Sequence, residues 1–190
     1  MNAAAQLESP RRLWLRVEDF LLLDRSGAFG EFAKTELIDG EILCMNAQFQ
    51  RHSYAKSQLA FRLTSALAAC GSELLVLAEV AVTMPPHDMP EPDIVLMRGP
   101  LGEGPVAADA VALVIEVADT TRENDLGRKA ALYARGNIPE YWVVDLQNAE
   151  IVRHWQPGAD GYGQRDASGF GAPIASQTLA GLTIATDALA

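Results

Sequence analysis

Residues 112–121 read ALVIEVADTT, and no other stretch limits the fold as tightly. Leu113, Val114, Ile115 and Val117 form a strand apolar on both faces, which requires a sheet with helices packed against it. Glu116 interrupts that run. A carboxylate among aliphatic neighbours is expensive to bury unless a cation or hydrogen-bond donors meet it. An apolar strand has little structural use for such a group, so Glu116 is the first candidate functional residue.

The neighbouring segments supply the rest of the sheet and its cover. LWLRVEDFLLLD carries Leu13, Val17, Phe20 and Leu21 at helical spacing. TELIDGEILCM reads as two short strands around Asp39-Gly40, a strong two-residue hairpin signal. RHSYAKSQLAFRLTSALAAC is an amphipathic helix with Tyr54, Leu59, Leu63 and Leu67 inward, ended by Gly71. LLVLAEVAVTM is read as one strand stopping at Pro85-Pro86, followed by the strand PDIVLMR and the loop GPLGEGPVAAD. After ALVIEVADTT come a helix, DLGRKAALYARGN, a strand, EYWVVDL, a hairpin from Ala149 to Ala167, and short strand or turn elements to the end. The pattern predicts an α/β (α+β mixed) fold with a mixed sheet flanked by helices.

The 190 residues suffice for one domain with a full core, expected over 13–190 behind a flexible tail at 1–12. That N-terminus lacks the apolar segment of a secretory signal, and no apolar run reaches the roughly 20 residues a membrane helix needs. Cys44 and Cys70 lie far apart in no metal-ligand spacing, which points to a reduced, cytoplasmic chain. With no GxGxxG and no P-loop, a nucleotide cofactor has little support.

Alternation along the strand puts Glu116 on one face with Val114 and Ala112, and Leu113, Ile115 and Val117 on the other. In PEPDIVLM, Asp93 shares a face with Val95 and Met97, so two neighbouring strands can bring Asp93 and Glu116 together. Like charges that close raise a pKa or demand a cation, and Mg²⁺ held by one or two carboxylates answers that demand. On the following helix Asp125 and Lys129 are four residues apart, with Tyr133 a turn further, so that face can overhang the carboxylates. Two carboxylates, a metal and a lysine form a phosphodiester-hydrolysis constellation. The alternatives are a solvent-exposed Asp125–Lys129 pair and a Tyr133 that only packs in the core.

Taken together, TELIDGEILCM, the helix opening at His52, PDIVLM, LVIEVADTTRENDLGRKAALYARGNIPEYWVVD and TLAGLTI resemble the Uma2 family from Val17 to Ile184. The resemblance implies a restriction-endonuclease-like core of the PD-(D/E)XK superfamily, with extra N-terminal and C-terminal hairpins, acting as an endonuclease on DNA. It also implies Asp93 and Glu116 as Mg²⁺ (or Mn²⁺) ligands, with Glu36 or Glu41 as an upstream acid completing the metal shell. The superfamily pattern expects lysine two residues after the second acid, where this chain has Ala118. Lys129 stands where it can reach over from the next helix. His52 fits a family position, either contacting phosphate or serving as a capping or structural histidine.

A net charge of −10 opposes a broad DNA footprint. Arg51, Lys56, Arg62, Arg122, Arg128 and Arg135 are the residues that could concentrate positive charge around a cleft, and each reads equally as part of a solvated face. Cutting both strands would need paired sites, which suits a homodimer.

Overall fold

The structure, a computed structural model, describes residues 12–189, so the tail expected at 1–12 lies, apart from Arg12, outside the described residues. Helix α1 (Val17–Arg25) buries Val17 and Phe20. It starts later than the apolar spacing suggested: Leu13 precedes it and is exposed. Strands β1 (Lys34–Ile38) and β2 (Glu41–Met45) form the expected antiparallel hairpin. Its turn residues Asp39 and Gly40 both have positive φ, 52° and 73°, the conformation of the tight turn that matches strand twist. A Cβ on Gly40 would also lie 2.7 Å from Trp14 Cβ, so glycine is required there twice over.

Helix α2 (Gln50–Ala69) buries Ala55, Leu59, Leu63 and Leu67. Tyr54, expected inward, is half exposed, because the inward stripe begins with its neighbour Ala55. Strand β3 (Leu75–Ala78) stops at Glu79, whose φ of 52° breaks the extended backbone. The single strand expected to reach Met84 is therefore two, the second being β4 (Val82–Thr83). Strand β5 (Ile94–Met97) follows, and the expected loop after it contains a short β6 (Val106–Ala107) paired with β4. All of β7 (Val111–Ala118) is buried.

The next helix is α3 (Arg122–Asn124), a π-helical turn over Asp125–Lys129, and α4 (Ala130–Arg135). Strands β8 (Glu140–Asp145), β9 (Glu150–Gly158) and β10 (Gly161–Gly169) follow, then the short pair β11 (Ile174–Ala175) and β12 (Thr183–Ile184).

Six strands form the central sheet in the order β10-β9-β8-β7-β5-β3. Strands β7 and β8 are parallel, joined by the helix crossing between them, and the other pairs are antiparallel. On one face α2 packs on Ile94, Leu96, Leu113, Ile115, Val117 and Trp142. On the other, Leu132 and Tyr133 of α4 pack on Val95, Val114, Tyr141 and Val143. A register shift between Leu96 and Met97 bulges β7 and turns Ala112 to the α2 side with Leu113. Ala112 thus does not share a face with Glu116, whereas Val114 does. Among the described residues no helix is long and apolar enough to cross a membrane.

Candidate active site

The antiparallel register of β5 and β7 sets Ile94 opposite Ile115, which brings Asp93, just before β5, beside Glu116. The Val117 amide donates to Asp93 Oδ2 at 2.8 Å, fixing one carboxylate against the strand that carries the other. Glu36 arrives from the hairpin, held by reciprocal backbone bonds between Leu37 and Met89 of 3.2 and 2.7 Å. From the π-helical turn, Lys129 Nζ donates to Glu116 Oε1 at 2.8 Å and to Glu36 Oε1 at 3.0 Å. Tyr133 Oη donates to the same Glu116 oxygen at 2.8 Å. Glu36, Asp93, Glu116, Asp125, Lys129 and Tyr133 are all buried. All but Tyr133, which lies beneath, line a cleft of about 700 Å³ whose walls include Leu43, Met45, Phe49, Thr121 and Asn124.

More carboxylates than cations meet here, and the protonation equilibria follow. Burial and then the negative charge of Asp93 raise Glu116 to about 7, against the pull of Lys129. Burial works against the Lys129 charge, but Glu116, Glu36 and Asp125 outweigh it and hold the ammonium firmly protonated. Asp93 is driven well below the ordinary carboxylate range: burial opposes this, but His52, Lys34 and the Val117 amide prevail. Burial lifts Asp125 to about 6, opposed by Lys129 and by the Thr121 hydroxyl on Oδ2.

The donor chemistry of the cluster suits a hard divalent cation, in an open arrangement. Among the described residues no three His, Cys, Asp or Glu side chains converge as a ready-made metal shell. Among the described residues every donor to Glu116 and Glu36 falls on Oε1, which leaves Oε2 of each for a ligand. Mg²⁺ commonly takes only one or two carboxylates and keeps several waters, so such a set fits it.

The two upstream acids lie in different surroundings. Glu36 is in the cluster, whereas Glu41, at the exposed start of β2, accepts from Arg128 at 3.1 Å. His52 does not cap α2, whose N-cap is Phe49; its Nε2 lies 3.2 Å from Asp93 Oδ2, and its buried Nδ1 has no partner among the described residues. The six cations expected to concentrate positive charge are already engaged. Arg51 faces Asp119, Lys56 Glu79, and Arg62 Asp187. Arg122 binds Asp145 and Glu150, and Arg128 and Arg135 converge on Asp39. They do not form an unpaired basic track.

Two site residues escaped the sequence reading. Gln48 donates from Nε2 to Asp93 Oδ1 at 3.0 Å and accepts from Lys56 at 2.8 Å. Lys34 Nζ lies 3.8 Å from Glu36 Oε1. Alternation along β1 puts Lys34 on the face of Glu36 and could have found it. Gln48 lies between elements, where no periodicity marks it.

The helix-flanked mixed sheet, with acids on β1, just before β5 and on β7 gathered under a helix-borne lysine, has the restriction-endonuclease-like fold. The chain belongs to the Uma2 family, described as "Putative restriction endonuclease", whose sequence model matches residues 17–187. A solved structure from Anabaena variabilis, described as "a putative nuclease belonging to DUF820", has the same fold: TM-score 0.68 at 16% identity, covering 92% of this chain and 97% of that one. No curated protein matches.

Proposed function

We propose that this protein is a Mg²⁺- or Mn²⁺-dependent endonuclease that hydrolyses phosphodiester bonds of DNA. The observation that carries the reading is Lys129 bridging Glu36 and Glu116 beside Asp93. That ammonium takes the role of the lysine the superfamily pattern expects at Ala118. Asp93, Glu116 and Glu36 would hold the cation, which when bound polarises the phosphate and lowers the pKa of its water. Lys129, kept protonated by its carboxylates, neutralises charge developing on the phosphate rather than accepting a proton. Tyr133 fixes the rotamer of Glu116, and His52 and Gln48 fix that of Asp93. The free, exposed Cys44 and Cys70 suit a reducing cytoplasmic setting, and a homodimer would pair two such sites in one particle.

A second reading is a degenerate nuclease fold serving as a binding module, with Glu116 and Lys129 as a metal-independent ion pair. The committed surface cations and the absence of three converging ligands among the described residues favour it. Titration with Mn²⁺, followed by cleavage assays on DNA, separates the two when wild type is compared with Asp93→Ala. The nuclease reading expects millimolar or tighter binding and cleavage in the wild type, both lost in the variant. A wild type that binds no metal at millimolar concentration would sink it.

A further inference from the structure

We propose that the cleft takes an unpaired nucleobase, stacked on Phe49, so that the substrate is single-stranded DNA rather than continuous duplex. This rests on the nuclease reading and adds the substrate class. Duplex recognition is dominated by cations tracking phosphates, and this chain is ill equipped for it. Its net charge is −10, and Arg51, Arg122, Arg128 and Arg135 are each committed to carboxylates. Single strands add to their phosphate contacts the stacking of unpaired bases on aromatic side chains, a source of affinity that needs no positive charge and that continuous duplex cannot use.

Phe49 is placed for that. The residue before it, Gln48, bonds to Asp93, and His52, three residues after it, contacts the same carboxylate. Phe49 therefore stands at the mouth of the site, and it lines the same cleft as Asp93, Glu116 and Lys129. It is nevertheless 83% exposed. As the N-cap of α2 it makes no side-chain capping bond, so the helix does not explain a phenyl ring there. Leu43 and Met45 continue its apolar wall, while Thr120, Thr121 and Asn124 line the same cleft with groups able to meet the polar edge of a base.

The test uses the full chain with a labelled oligothymidylate and a duplex of equal length, read by fluorescence anisotropy in Ca²⁺ and by cleavage in Mg²⁺ or Mn²⁺. Wild type should bind the single strand more tightly than the duplex. Phe49→Ala should weaken single-strand binding roughly 5- to 150-fold, the span measured for losing one base–aromatic stack, and Phe49→Trp should restore it. Because the ring is exposed, the variants should keep the wild-type melting temperature. Equal or tighter duplex binding, no oligonucleotide binding, or an unaffected Phe49→Ala overturns the inference. If duplex is cut and Phe49→Ala cuts it equally well, the substrate inference falls and the nuclease reading stands. If neither substrate is cut with either metal, the nuclease reading falls as well.

Discussion

Lys129→Met removes the ammonium that bridges Glu116 and Glu36 while keeping most of the stem that packs beside them. Glu116 is only 3% exposed, so solvent does not replace the lost charge. In the wild type its folded pKa of about 7 stands above the unfolded value of 4.5. A raised folded pKa gives stability that is present below 4.5 and lost as pH rises to 7, by about 1.4 kcal/mol per unit. Above 7 the wild-type group is ionised and held by Lys129, and the loss levels off. Without Lys129 the strongest influence lowering that pKa is gone, so it climbs further and the loss continues with rising pH.

The two stability curves therefore run nearly parallel below pH 7 and part above it. Below pH 7 the variant lacks mainly charge-assisted hydrogen bonds, worth about 1.5–3 kcal/mol. Above it the deficit should grow by about 1.4 kcal/mol per unit, reaching the roughly 3–5 kcal/mol typical of a broken buried pair. Urea unfolding of both proteins in EDTA from pH 6 to 9 measures this directly. A deficit independent of pH, or one that shrinks as pH rises, would refute the electrostatic account of Glu116.

Two further substitutions probe buried hydrogen bonds. Tyr133→Phe deletes the hydroxyl on Glu116 Oε1 and should destabilise by about 1.5–3 kcal/mol in urea unfolding at pH 7.5; unchanged stability would show that this bond does not hold Glu116. Both Glu140 oxygens accept from donors, so in Glu140→Gln the amide NH₂ opposes donors whichever way it is flipped, and the change should cost about 2–4 kcal/mol. Hydrogen exchange should quicken around β11 and β12, and uniform protection would contradict that assignment.

The middle of the sheet was legible because β5, β7 and β8 are short apolar runs that stop at proline, glycine or polar turn residues, and the Asp39-Gly40 turn follows from backbone sterics. The sequence missed what depends on distant contacts. That Glu36 and not Glu41 meets Lys129 depends on the Leu37–Met89 bridge, which clamps one end of the hairpin against a segment some fifty residues away. Alternation misplaced Ala112 because a bulge inserts one residue, and apolar residues on both sides of the strand conceal such a slip. Asp125 and Lys129 were paired by α-helical spacing; they meet the cluster from a π-helical turn, and nothing in DLGRK marks the wider winding.

Glu140 limits what a buried charge in an apolar strand can signify. EYWVVDL poses the same question as ALVIEVADTT, yet the answer is structural. Both Glu140 oxygens are closed by donors: the Trp142 indole, the Ser176 and Thr178 hydroxyls, and the Gln177 and Thr178 amides. These tie β8 to the segment before β12, and no acceptor capacity faces a cleft. Glu116 differs in the company it keeps. Its donors all meet one oxygen, its cation is shared with Glu36, a third carboxylate stands beside it, and the group opens on a cleft. Burial poses the question in both strands; the unshared Oε2 and the crowding of like charges single out Glu116 as a candidate for chemistry.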